Sequence, residues 1–371
     1  MASCVRVCAA CVLVLTTTSR KFWARGACSD RQPVGGDCLG RLHAGSTHGH
    51  LLGDPLHRIG DRRAIHSQEP LVVKPLGVAM DEPATTNDQH SRRGRRLARR
   101  HPIAMFLLIA LGLSWLVMIA LLVSGQDLSL GALLSVVFLL VSATVVTALS
   151  EGRAGVRRLF AGTIRWQMGL ARFVVLVTAM PLLTLLVGAL TGTFRSPPEG
   201  WLSLAGSYLF QTFIFGLLIV NLWEETAWGG FMQARLMATR GLLVGSLLTA
   251  IPFFVIHMPL AFAEHGLNTT GKQAALNLGL TALIAPVFRY LAGTQLIDSG
   301  GSILAIGLLH ASFNASGKLS AVPGEWQYIP ALIMLTLAVI AYRRLRGRSF
   351  SHGFAPALVA DSTTIRITSG T

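Results

Sequence analysis

The chain has 371 residues, of which 52% are hydrophobic and 13% are charged, and its mean hydropathy is +0.55. This composition is too apolar for an ordinary soluble domain. The net charge of +15 does not indicate a nucleic-acid partner, because the basic residues cluster beside apolar runs, as they do in membrane proteins.

Residues 1–101 are predicted to be a poorly ordered basic extension, because Gly, His, Arg, Asp and Pro are scattered without a sustained period. Translation starting at Met80 is an alternative, which would leave a short cytoplasmic tail. All five cysteines lie in the first 38 residues. The apolar region that follows therefore has neither an internal disulfide nor a thiolate metal site.

From Ile103 onward, apolar runs of the length that crosses a bilayer as helix follow one another. They predict an all-α, polytopic integral membrane helix bundle with about eight transmembrane helices. The predicted spans are 103–123, 129–149, 173–191, 203–223, 241–261, 274–292, 301–317 and 326–342. Residues 346–371 would form a C-terminal cytoplasmic tail.

Alternate loops are rich in arginine, and loops of this kind face the cytoplasm. Arginines precede the first predicted span and follow the second, fourth and eighth. The opposite loops carry only Arg195, Lys272 and Lys318. An even number of spans with cytoplasmic N- and C-termini is expected, and the plasma membrane is the expected location.

Few polar side chains of catalytic type lie in or beside the spans: Glu224, Glu225, His257, His310 and Asn314. Each has a structural explanation when it is taken alone. An acid at a span end can reach water, a histidine can bond a carbonyl, and a His–Asn pair can join two helices. His310 and Asn314 are four residues apart and share a helical face.

Taken together, the five residues provide the functional groups that are needed to hydrolyse an amide with an activated water. A carboxylate shielded from water can act as a general base. Histidine and amide side chains can orient the water and stabilise an oxyanion. The set therefore favours an enzyme whose acid faces a cavity lined by His257, His310 and Asn314.

The motifs EETAW–GGF, Phe253 to His257 and His310 to Asn314 resemble the three motifs of the CAAX protease and bacteriocin-processing (CPBP, or ABI) family, which includes the type II CAAX prenyl endopeptidases. The resemblance covers roughly residues 100–345, and the intramembrane protease domain is expected over residues 102–345. The resemblance implies an intramembrane glutamic endopeptidase in which Glu224 activates water and His257 helps to hold it. It also implies that His310 and Asn314 bind the oxyanion and that Glu225 supports the site.

One position departs from the family pattern. The first motif usually reads E-E-x-x-x-R, and Gly229 occupies the arginine position. Glu225 would then stay protonated or find Arg235 or Arg289 as a partner from elsewhere in the chain. The glycine pair at Gly229 also loosens the helix.

The expected partners are the lipid bilayer and a peptide or lipid-anchored protein substrate. No cofactor is expected, and Zn²⁺ held by Glu and His side chains is the alternative. Gly229 favours a second function, a catalytically degenerate membrane scaffold or chaperone of the same fold. A proton-coupled transporter is a third, against which the lack of an internal repeat argues.

Overall fold

The computed structural model describes residues 94–324 and 326–347. Most of the predicted extension, the alternative start at Met80 and most of the predicted tail lie outside the described residues. Within the described ranges every regular element is helical and there is no strand, which confirms the all-α prediction. The helices are α1 (Pro102–Val123), α2 (Ser129–Ala161), α3 (Gly169–Leu190), α4 (Trp201–Phe210), α5 (Leu222–Glu225), α6 (Ala234–His257), α7 (Gly271–Asp298), α8 (Ile303–Ser316) and α9 (Tyr328–Leu345).

Six helices of the described part are long and apolar enough to cross a membrane. They are Pro102–Val123, Ser129–Ala161, Gly169–Leu190, Trp201–Phe262, Gly271–Asp298 and Tyr328–Leu345. The predicted count of about eight differs for two physical reasons. Two predicted spans lie on the continuous 62-residue stretch Trp201–Phe262, and α8, at 14 residues, is shorter than a full span. The number of crossings and the cytoplasmic placement of the termini stay predictions.

The stretch Trp201–Phe262 is not a straight rod. Two segments, Gln211–Asn221 and Thr226–Gln233, are π-helical, and the four residues of α5 lie between them. At Gly241 the backbone takes φ 76° and ψ 175°, which kinks α6. A side chain at Gly245 would meet the backbone of Met237 at 2.7 Å, so glycine allows the chain on either side of the kink to pack closely.

The centre of the bundle is α8. Every residue of α8 except Leu304 and Asn314 is buried. Small residues let the neighbouring backbones approach it, as is common between membrane helices. A Cβ at Gly216 would lie 2.9 Å from Ala311, and a Cβ at Gly307 would lie 3.2 Å from the Cα of Leu222. This close packing holds α8 against the stretch that carries the two glutamates.

Candidate active site

Glu224 and Glu225 form the end of α5, between the two π-helical segments. Wide turns of this kind occur often at functional sites. Consecutive helical residues point about 100° apart, so the two side chains leave the helix in different directions, although His310 lies near both carboxylates. Both side chains are buried, Glu225 completely.

Glu225 is bound from two other helices. Its Oε1 accepts a hydrogen bond from Arg289 of α7, and His310 Nδ1 of α8 lies 2.8 Å from the same oxygen. The Arg289 guanidinium is completely buried and lies 4.6 Å and 4.9 Å from the ring centroids of Phe253 and Phe288. Arg289, Glu225 and His310 thus form one buried polar chain across three helices, with aromatic rings around the cation.

The basic partner predicted for Glu225 from elsewhere in the chain is confirmed, and it is Arg289. Arg235, the other candidate, contacts Glu151 of α2 instead. At Gly229 a Cβ would lie 2.1 Å from Ile306 Cδ1, so α8 fills the space that a side chain would need. Arg289 of α7 therefore supplies the positive charge that Gly229 cannot provide, and Ile306 of α8 occupies the space beside Gly229.

Glu224 has a different environment. One carboxylate oxygen lies 3.9 Å from His257 Nε2, and the other lies 4.0 Å from His310 Nδ1. Both separations exceed a direct hydrogen bond, and at such distances a water molecule can join polar groups. The Glu224 carboxylate is therefore close to two imidazoles without being tied to either.

The partners of the two histidines indicate their tautomers. His257 Nδ1 lies 2.6 Å from the carbonyl oxygen of Phe253, which can only accept, so Nδ1 carries the proton. An ionised Glu225 is also an acceptor only, so His310 Nδ1 donates to it. Each ring is thus held through Nδ1, and its Nε2 is left for a second partner.

The hydrogen bond of Asn314 is to a residue outside the five predicted site residues. Asn314 is the exposed residue of α8, and its Nδ2 donates to Asn221 Oδ1 at 3.4 Å. Glu224, Glu225, His257 and His310 are brought together by the ion pairs and short separations between them. In the described part of the chain, Asn314 is linked to the π-helical segment before Glu224, one turn beyond His310.

The family model described as type II CAAX prenyl endopeptidase Rce1-like matches residues 205–316. The chain carries an Rce1-like domain. No curated protein matches the chain. The matched residues include all five predicted site residues and Arg289. The Rce1-like domain belongs to a protease family, and with its apolar helices the chain is a multi-pass integral membrane protein.

Two polar residues of the Rce1-like domain were not among the predicted site residues. Arg289 is an arginine within an apolar helix, and an ionisable residue at membrane depth needs a partner, which is the signal that identifies it. Asn221 stands one turn before Glu224 and Glu225, at the end of an apolar run. Its side chain is buried and its Nδ2 has no hydrogen-bond partner among the described residues.

Proposed function

We propose that the Rce1-like domain is an intramembrane glutamic endopeptidase that cleaves membrane-associated or prenylated CAAX-like substrates in the plasma membrane. One observation supports Glu224, and not Glu225, as the general base. Glu225 is committed to Arg289 and His310, whereas Glu224 lies near two imidazoles at 3.9 Å and 4.0 Å without a direct bond to them. A carboxylate already neutralised by an arginine is a poor proton acceptor, so Glu224 is the better base.

In the proposed reaction, a water molecule between Glu224 and His257 attacks the carbonyl carbon of the scissile bond. Glu224 takes one proton from the water while the new C–O bond forms. The carbonyl oxygen gains the electron pair and becomes an oxyanion. Collapse of this intermediate breaks the C–N bond, and Glu224 returns the proton to the leaving amine.

His310 is proposed to donate to the oxyanion through Nε2. Because Nδ1 already donates to Glu225, donation through Nε2 requires the imidazolium, and the Glu225 carboxylate stabilises that cation. Asn314 is proposed to be the second donor, which requires its Nδ2 to exchange Asn221 for the oxyanion. Preorganised donors of this kind typically contribute about 10²–10³ in kcat.

The proposed mechanism uses no metal ion, and the donor set supports this choice. Within the described ranges, no three His, Cys, Asp or Glu side chains form a group that could hold a metal. The Glu225 carboxylate is bound to Arg289, and both histidine Nδ1 atoms are engaged. The Zn²⁺ alternative would have to use the Glu224 carboxylate with the histidine Nε2 atoms, or displace the guanidinium from Glu225.

Gly229 is the feature that favours a non-catalytic scaffold, because it removes the motif arginine. Arg289 supplies a cation to Glu225 from α7, and this supports the catalytic function over the scaffold. The two functions differ in one outcome, which is whether any peptide bond is cut.

The test compares cells that express the wild type, Glu224→Gln, or Glu264→Gln at matched membrane levels. Glu264 is an exposed glutamate in the segment after α6, so its variant controls for the same chemical change outside the site. New protein N- and C-termini are mapped by mass spectrometry. We expect termini that are present with the wild type and Glu264→Gln and absent with Glu224→Gln. Identical termini in all three would support the scaffold.

A further inference from the structure

A groove of about 370 Å³ opens on the outside of the bundle, between α6, α7 and α9. Thr336, Ile340 and Arg344 of α9 follow one another at intervals of four residues, so they line the groove over a length of about 12 Å. The groove therefore runs along the helices, which is the direction of the acyl chains in a bilayer. Its volume lies within the roughly 300–1,000 Å³ of typical ligand sites.

The groove is lined mainly by apolar side chains. Tyr290 and Thr336 are buried at its base, and the Thr336 hydroxyl donates to the carbonyl oxygen of Leu332 at 2.8 Å. Leu243 and Leu247 of α6 are 48% and 44% exposed, so they form its open edge. Along most of its length the groove offers contact to a hydrocarbon chain.

The charge at one end of the groove is positive. Arg344 is exposed in the last turn of α9 and is the only charged residue among the described residues that line the groove. The helices α6, α7 and α9 contain a single acidic residue, Asp298, and it forms an ion pair with Arg343 at 2.8 Å. One carboxylate is thus set against two arginines where α7 and α9 end, and this charge favours an anion.

We propose that the groove binds one anionic phospholipid, with an acyl chain along α9 and the phosphate at Arg344. Basic sites between membrane helices on the cytoplasmic side bind anionic head groups, and the end of α9 is predicted to lie on that side. The inference does not depend on the proposed endopeptidase. Tyr290 lines the groove, whereas the adjacent Arg289 is bound to Glu225 inside the bundle.

A second copy of the chain is the competing occupant of an apolar groove. A symmetric dimer uses the same surface of both copies, so it would bring two arginine-rich ends of α9 together. Like charges at such a contact repel each other, whereas a phosphate neutralises them. The charge therefore favours the phospholipid over the second copy.

The experiment uses the full chain purified in detergent, with phosphatidylglycerol or phosphatidylcholine added. Native mass spectrometry counts the bound lipids. We expect one phosphatidylglycerol per chain, bound in preference to phosphatidylcholine. Arg344→Gln should weaken binding of phosphatidylglycerol about fivefold and leave phosphatidylcholine unchanged, because one arginine near an anionic head group is lost. Leu247→Trp should fill the groove and weaken the binding of phosphatidylglycerol through its chain.

Two matched variants serve as controls. Arg157→Gln removes an exposed arginine of α2, and Leu337→Trp adds an indole to the exposed face of α9 outside the groove. Both should bind phosphatidylglycerol as the wild type does. Thermal unfolding without added lipid establishes that all four variants are folded, and because Arg344 and Leu247 are tested separately, either variant alone can contradict the inference.

Three outcomes would overturn the inference. The first is equal binding of the two phospholipids, or binding of phosphatidylglycerol that neither Arg344→Gln nor Leu247→Trp changes. The second is an equal shift of the unfolding temperature by inorganic phosphate, which would assign Arg344 to a free anion. The third is a dimer that Leu247→Trp dissociates, without a preference between the lipids, which would assign the groove to a second copy.

Discussion

Arg289 and Glu225 form an ion pair inside the helix bundle, and neither side chain is exposed. The same carboxylate oxygen accepts from His310, so α7 acts on the imidazole of α8 through a residue of α5. Each charge would be costly at membrane depth without the other. The pair therefore stabilises the bundle and also sets the orientation of a candidate catalytic ring.

Arg289→Met is expected to reduce both stability and activity. It leaves the buried Glu225 carboxylate without its cation, and loss of one partner of a buried pair costs about 3–5 kcal/mol. Thermal unfolding in detergent measures the first effect and cleavage per folded molecule measures the second. Arg289→Met/Glu225→Leu should recover stability, because no unpaired charge remains, but it should not recover activity.

The matched control is Arg343→Met. Arg343 of α9 also forms a buried ion pair, at 2.8 Å with Asp298 at the end of α7, but it lies outside the candidate site. We expect a comparable loss of stability with cleavage per folded molecule retained. If Arg289→Met behaves in the same way as Arg343→Met, Arg289 has a structural role alone.

Gly229→Ala is expected to destabilise the protein by about 1–3 kcal/mol, as overpacking of a core does. The added Cβ would meet Ile306 Cδ1 at 2.1 Å. Ile306→Val removes that methyl group at a cost of about 0.5–1.5 kcal/mol by itself. The double variant should therefore be more stable than Gly229→Ala alone, as measured by unfolding in detergent. An additive loss in the double variant would contradict the packing explanation.

The helical fold could be predicted because lipid imposes it. Apolar runs of sufficient length require helices, so every predicted span overlaps a helix in the structure. The grouping of Glu224 and Glu225 with His257 and His310 could be predicted for a related reason, since polar side chains at membrane depth need one another.

Other features depend on contacts that sequence spacing does not determine. The separation of 64 residues between Glu225 and Arg289 is bridged by the tertiary packing of the bundle, so the sequence left Arg235 as an equal candidate. Asn314 shares a helical face with His310, yet the π-helical backbone before Glu224 brings Asn221 to it instead. Helical periodicity assumes regular turns, and two π-helical segments flank this site.

Removal of metal ions is expected to leave cleavage unchanged. Zn²⁺ sites need three or four ligands, whereas among the described residues no three His, Cys, Asp or Glu side chains form a group that could hold a metal. Activity is measured before and after treatment with 1,10-phenanthroline, and metal content is measured on the purified protein. Loss of activity that returns with added Zn²⁺, and not with Mg²⁺, would contradict the metal-free mechanism.

Substitutions of His310 should distinguish the roles of its two ring nitrogens, Nδ1 and Nε2. Asparagine places an amide nitrogen near the position of Nδ1, so His310→Asn keeps a donor for Glu225 but loses the group proposed to bind the oxyanion. We expect near-native stability and a loss of about 10²–10³ in kcat, with little change in KM. Glutamine places its amide near Nε2, so His310→Gln should retain more kcat and lose more stability, because Glu225 loses a donor. Equal kcat losses in both variants, with equal unfolding temperatures, would contradict a division of labour between Nδ1 and Nε2.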